Sequence, residues 1–155
     1  MSKKLKLFFS SKNQNWRTPK KVYDKLDNEF NFDCDPCPSF EDGLRSRDML
    51  GSSWGKSNYV NPPYKNVEDW LRKGYNEYLK GKIVVFLIPS RTDTQWWHNF
   101  VMKANQIRFI IGRLKFKGDN DRFLAPFASI IVIFNSNKKY NKKFISYDVN
   151  EKELI

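Results

Sequence analysis

The chain has only two cysteines, Cys34 and Cys37, and one histidine, His98. The cysteines form a Cys-x-x-Cys spacing, but Pro36 and Pro38 flank the second one, and no further cysteine exists to complete a four-ligand zinc site. No metal is expected, and a redox pair is not expected either. Long apolar runs are also missing. None approaches the ~18–20 residues of a membrane-spanning helix. The N-terminus lacks the apolar stretch and cleavage site of a signal peptide, so a cytoplasmic location is expected, with no membrane partner. Acidic residues are absent from the first 21 positions, which carry Lys3, Lys4, Lys6, Lys12, Arg17, Lys20 and Lys21. No internal repeat is visible.

What is present is a one-domain chain of 155 residues, 40% hydrophobic and 16% aromatic. That is enough apolar surface for a core without disulfides or metal. Lysine and arginine number 28 against 17 acids, for a net charge of +11. Such a balance favours a polyanionic partner. Three segments are expected: a basic flexible arm over 1–17, a folded domain over 18–135, and a basic tail over 136–155 that includes Lys138, Lys139, Lys142 and Lys143.

Within the domain, Thr18 is placed to cap a helix with Pro19 at its first position, and Val22, Leu26 and Phe30 recur at near-helical spacing up to Asn31. Phe32 to Asp35 reads as a short strand, and Ser39 to Gly55 offers no regular element. Asn58 to Asn61 is a second short strand, ended by Pro62 and Pro63. Val67, Trp70, Leu71, Gly74, Tyr75, Tyr78 and Leu79 follow a 3.6-residue period, with Gly81 where a helix C-cap belongs. Six apolar residues, Ile83 to Ile88, predict a strand buried on both faces of a parallel sheet. A helix capped by Asp93 or Thr94 and running through Lys103 is expected next, followed by a strand over Ile107 to Ile111. Two late strands, Arg113 to Lys117 and Ala128 to Phe134, are expected to close the sheet around a charged loop from Gly118 to Arg122, the last strand running antiparallel. The order is that of an α/β domain with a central, mostly parallel sheet. Trp54, Trp70, Trp96 and Trp97 are assigned to the core.

In open α/β sheets, ligands bind at the carboxyl ends of the strands. Three segments stand there: Asp35-Pro36-Cys37, Asn61-Pro62-Pro63-Tyr64 and Pro89-Ser90-Arg91. The two prolines of the second remove two N–H donors and leave a rigid loop presenting acceptors, the Asn61 amide oxygen and the Pro62 carbonyl. Such a loop suits an amine. An exocyclic amino group on a base is a poor nucleophile because its lone pair is delocalised; two acceptors draw it toward tetrahedral geometry and stabilise the charge that forms on attack. Tyr64 adds a flat face on which an extruded base can stack. Arg91 follows a buried strand and can grip a phosphate, while Asp93 serves as a cap. His98 is more simply a surface or packing residue than a catalyst.

Asn61-Pro62-Pro63-Tyr64 resembles the catalytic motif of the amino-group S-adenosylmethionine-dependent DNA methyltransferases, and the wider layout looks like the small phage-type DNA N-6-adenine methyltransferases of the Dam kind. The resemblance runs from Trp16 to Phe134 through Trp16-Arg17-Thr18-Pro19, Asp35-Pro36-Cys37, Trp54, Leu87-Ile88-Pro89-Ser90-Arg91-Thr92-Asp93-Thr94, Trp97-His98, Gly112-Arg113-Leu114-Lys115-Phe116 and Ala128-Ser129. It implies a Rossmann-like class I methyltransferase sheet, mostly parallel with antiparallel final strands, and the cofactor S-adenosylmethionine. By the same resemblance Asn61, Pro62, Pro63 and Tyr64 are catalytic, and Thr18, Pro19, Asp35, Pro36 and Cys37 bind the cofactor, Thr18 and Pro19 near its methionine end. Where most methyltransferases of this fold carry a glycine-rich loop, this chain has no glycine until Gly43; Asp42 and Asp48 are the candidate ribose-binding acids. DNA is the expected partner, met by Lys65, Arg91, Arg113, Lys115 and Lys117. The same loop also fits cytosine 4-amino methylation or a glutamine side chain, and a non-enzymatic DNA-binding descendant of the fold is the remaining alternative.

Overall fold

The computed structural model describes residues 18–38, 49–117 and 122–150, without the side chains of 116, 117, 122 and 123. The arm over 1–17, Asp42, Gly43, Asp48, the middle of the charged loop and the Lys117 side chain therefore lie outside the described residues. The fold is mixed α/β. Helix α1 (Lys20–Phe30) is followed by β1 (Ser57–Val60), α2 (Val67–Leu79), β2 (Ile83–Pro89), α3 (Gln95–Asn99), β3 (Gln106–Ile110), β4 (Lys115–Lys117), β5 (Arg122–Leu124), β6 (Ser129–Phe134) and β7 (Phe144–Tyr147). A five-stranded sheet has the order β1-β2-β6-β3-β7, and β4 and β5 form a separate two-stranded ribbon.

The sheet separates two apolar layers because its strands alternate. Val84, Phe86 and Ile88 of β2 face α2 and α3 with Trp54, Trp70 and Leu71, whereas Val85 and Leu87 face Val22, Leu26 and Phe30 of α1. The apolar run is thus buried on both faces from Val84 to Ile88, as expected, but β2 lies between a parallel neighbour, β1, and an antiparallel one, β6. Trp54, Trp70 and Trp97 are buried, and Trp96 packs against the same layer. Gly74 is required where α2 crosses β2, since a Cβ there would lie 2.4 Å from the Phe86 ring. Gly81, at φ +90°, supplies the left-handed turn after α2.

Several expectations are corrected. Phe32 to Asp35 forms no strand of its own; it contributes a single parallel bridge, Cys34 to Asn58, against β1. The chain runs close to β1 there, but Pro36 removes the donor that would extend the pairing. The third helix stops at Asn99. Phe100 leaves helical geometry at φ −126°, and a tight turn over Val101–Lys103 brings both Phe100 and Val101 into the core. Thr18 does not cap α1. Pro19 occupies the cap position without a side-chain bond, its carbonyl accepting from Val22 and Tyr23.

The strand over Arg113 to Lys117 does not close the sheet. Of the two late strands only Ala128 to Phe134 enters it, as β6, antiparallel as expected and paired with β2 on one edge and β3 on the other. A cationic alternating strand cannot lie in a sheet buried on both faces, so it pairs instead with Arg122–Leu124 outside it. The segment expected as a tail contributes β7, parallel to β3, with Tyr147 buried. Its lysines concealed a strand: Lys143 Nζ donates to the carbonyls of Ala104 and Met102 rather than standing in solvent. Four strands run one way, therefore, and β6 alone opposes them; the final strand is parallel to its neighbour.

Helix α1 is tied down at its far end. Arg108 of β3 donates two 2.6 Å hydrogen bonds to Glu29, which also accepts from the Tyr140 hydroxyl. Burial opposes the Glu29 charge, but the Arg108 fork outweighs it and holds the carboxyl below its usual range. This clamp and the buried stripe of Val22, Leu26 and Phe30 set where Thr18, at the other end of the helix, must lie.

Candidate active site

Asn61 leaves the carboxyl end of β1 half-buried, Pro62 is buried, and Pro63 turns the chain into a tight helical turn over Tyr64–Asn66 that runs directly into α2. The two prolines keep Asn61 and Tyr64 on either side of a rigid corner. Tyr64 packs against both apolar layers. Its ring meets Phe127 edge-on, with centroids 5.4 Å apart and planes at 90°. Because β6 opposes its neighbours, its start lies at the carboxyl end of β1 and β2. That reversal brings Phe127, two residues before β6, to the loop.

Thr18 reaches the same place from α1. Asn61 Nδ2 donates to Thr18 Oγ1 at 3.1 Å, and that hydroxyl is also hydrogen-bonded to the Tyr59 phenol. Tyr59 is buried in β1 beneath the loop, and desolvation pushes its phenol well above the ordinary range, so it stays neutral. Burial likewise pushes the Tyr64 phenol upward.

Asp35-Pro36-Cys37 follows the bridge beside β1, with Tyr59 N donating to the Cys34 carbonyl at 3.0 Å. The Asp35 carboxylate accepts from the Cys37 N–H at 3.2 Å and lies near enough to raise the Tyr59 and Tyr23 phenols. Thr18, Asp35 and Asn61 are thus gathered around Tyr59.

The family model for DNA N-6-adenine-methyltransferase (Dam) matches residues 7–155. The chain belongs to this family. It is an S-adenosylmethionine-dependent, adenine-specific DNA methyltransferase, and neither the cytosine nor the non-enzymatic reading has support. No curated protein and no solved structure matches it.

In this Dam-family chain burial disfavours the thiolate at both cysteines. Burial pushes the Cys37 thiol up to about 12 and raises Cys34 as well. Among the described residues no cluster of His, Cys, Asp or Glu could hold a metal, and no helix is long and apolar enough to cross a membrane. Part of Asp35 reaches solvent, yet the protein packed around its carboxyl pushes it up to about 6. Among the described residues it has no cationic partner.

The expected DNA contacts stand on the segments that follow β1, β2 and β3 at the same end of the sheet. Lys65 is exposed on the turn after Pro63, and Arg91 is exposed after β2, its carbonyl accepting from the Thr94 hydroxyl that caps α3. His98 is exposed, with a ring nitrogen 2.9 Å from the Thr92 carbonyl, which fits a loop-closing role. Arg113 stands at the foot of the ribbon, 3.4 Å from the Ala125 carbonyl, and Lys115 is exposed on β4. Sequence reasoning missed Tyr59 and Phe127. Tyr59 carried a weak signal, lying two residues before Asn61 on the same strand. Phe127 carried none, since only the strand order places it at the loop.

Proposed function

We propose that Asn61 and Pro62 accept the two N–H bonds of the target adenine's 6-amino group, that Tyr64 stacks the extruded base, and that Thr18, Pro19, Asp35, Pro36 and Cys37 hold S-adenosylmethionine in a Rossmann-like class I arrangement. The observation that carries this reading is the convergence of Asn61, Thr18, Asp35 and the Tyr64–Phe127 pair at one end of the sheet, where open α/β sheets bind ligands. The cofactor supplies an electrophilic methyl group on a sulfonium. Its two cationic groups suit Asp35, a crowded carboxyl without a cationic partner among the described residues. Cys37, buried and protonated, serves as loop packing beside it, and the Thr18 and Pro19 backbone lies within reach of the same region.

Methyl transfer is an in-line displacement, so the protein chiefly positions donor and acceptor and keeps water out. Asn61 acts as an acceptor and not as a general base. Stacking on Tyr64, worth about 1–3 kcal/mol, offsets the few kcal/mol lost when a base leaves the duplex. Phe127 holds the Tyr64 ring at its edge and borders the same space.

Lys65, Arg91, Arg113, Lys115 and Lys117 are assigned to the DNA backbone. The ribbon leaves the sheet after β3 and returns to the start of β6, so it stands at the same end as the catalytic loop. A DNA substrate points to the cytoplasm as the place of action. The test is transfer of a radiolabelled methyl group to duplex DNA, with nucleosides identified after digestion, by the native chain and by Asn61→Ala. N-6-methyladenine from the native chain and a loss of about 10²–10³ in kcat for the variant are expected. Undiminished turnover by Asn61→Ala would remove the proposed role.

A further inference from the structure

A carboxamide has an acceptor end and a donor end of nearly the same size, and a half-turn exchanges them. If Asn61 is to accept from the target amine, its oxygen must face that amine. With its NH2 facing the amine, donor would meet donor. The flip of Asn61 is therefore as consequential as its presence, and a neighbour must set it.

Thr18 is that neighbour. Its Oγ1 lies 3.1 Å from Asn61 Nδ2 and is hydrogen-bonded to the Tyr59 hydroxyl. A hydroxyl has one proton. We propose that Thr18 is a positioning residue for methyl transfer: it donates its proton to Tyr59 Oη, can then only accept from Asn61 Nδ2, and so holds the carboxamide with Oδ1 toward the target amine. The proposal deepens the assignment of Asn61 as amine acceptor and rests on it.

Two further observations support the chain Tyr59–Thr18–Asn61. The phenol is held by packing: Tyr59 is 2% exposed, and its ring meets Tyr23 edge-on at 5.1 Å and Phe32 at 5.4 Å. Thr18 also forgoes the role its position favours. A threonine before a helix ordinarily caps it through the side-chain oxygen, but here the cap position belongs to Pro19 and no side-chain cap bond is made. The hydroxyl is directed to Tyr59 and Asn61 instead. Cofactor contact at Thr18 then falls to its backbone.

Steady-state methyl transfer by the full chain on duplex DNA, with Thr18→Val, Thr18→Ser, Tyr59→Phe and Asn61→Ala, tests this. Valine keeps the shape and removes the hydroxyl. Thr18→Val is expected to lower kcat about 10- to 100-fold, with KM for S-adenosylmethionine and for DNA within about twofold of the native values. Thr18→Ser is expected to restore kcat to within about threefold. Tyr59→Phe is expected to show a smaller loss of the same kind, because Thr18 is then able to donate to Asn61 Oδ1 and release the flip. A raised KM for the cofactor with kcat kept in Thr18→Val would instead place the hydroxyl on the cofactor and overturn the proposal. So would equal losses in Thr18→Val and Thr18→Ser, which point to packing. Native activity in Thr18→Val beside an inactive Asn61→Ala would refute the role of Thr18 alone; native activity in Asn61→Ala would refute the underlying reading.

Discussion

Tyr64 and Phe127 meet edge to face at 5.4 Å although α2, α3, the ribbon and two strands of the sheet, β2 and β3, lie between them in the chain. The contact joins the Asn61–Tyr64 corner to the strand that opposes its neighbours. Phe127→Ala is expected to lower kcat/KM about 5- to 150-fold, the range that corresponds to one stacking contact. A mismatch opposite the target adenine should recover much of this loss, since an unpaired base is cheaper to extrude. Equal losses on matched and mismatched duplexes would argue against a role in base capture.

The cofactor contact proposed for Asp35 predicts a link between stability and binding. Its folded carboxyl sits at about 6, above the ordinary 3.8, so its ionisation opposes folding and stability falls as pH rises through that window. Asp35→Asn keeps an acceptor for the Cys37 N–H and removes the charge. The variant should lack this fall in melting temperature between pH 4 and 6, yet bind S-adenosylmethionine about tenfold more weakly, the scale of one charged hydrogen bond. Calorimetric titration at pH 8 showing native affinity would refute its assignment to the cofactor.

The basic positions at the ribbon and loop predict a salt law. Log affinity for DNA should fall linearly with log salt, and Lys115→Ala and Lys65→Ala should each lessen the slope by about 0.9 while leaving cofactor affinity unchanged. A slope indifferent to both substitutions would place the DNA elsewhere on the protein.

Glu77 is covered by lysine stems, with Lys73 Nζ at 2.7 Å, Lys80 Nζ at 3.4 Å and Lys82 Nζ also paired to it. The Glu77 side chain is fully buried. Loss of hydration opposes the charge, but the lysine hydrogen bonds outweigh it and hold the carboxyl at about 2, below the ordinary 4.5. The stability this confers is complete above the unfolded value and lost as pH falls from 4.5 toward 2. Glu77→Gln should melt lower than the native chain at pH 7 and converge with it near pH 2–3. A gap that persists unchanged in acid would show that packing, not charge, is responsible.

The helices and central strands were legible in the sequence because their signals are local. Val22, Leu26 and Phe30 mark one face of α1, and Ile83 to Ile88 can only be a strand buried on both sides. The weaker elements were misread where composition and position conflict. Lys143 and its neighbours made β7 look like a tail, since a lysine that bonds two backbone carbonyls through its ammonium is indistinguishable in sequence from one in water. Arg113 to Lys117 was recognised as a strand but assigned to the wrong sheet, because pairing partners are not encoded in a strand's own pattern.

The scarcity of cysteine, histidine and long apolar runs excluded metal and membrane chemistry from the sequence reading, and the Asn61-Pro62-Pro63-Tyr64 corner disclosed amine chemistry, because proline rigidity and acceptor placement are properties of adjacent residues. What surrounds that corner was decided only by the tertiary structure. Phe127 reaches Tyr64 because β6 runs against its neighbours, and Thr18 turns from capping α1 to holding Asn61 because the Glu29–Arg108 clamp and the packed face of α1 place it there. Such contacts depend on strand order and helix docking, which are set by the burial of the whole chain and by no single stretch of it.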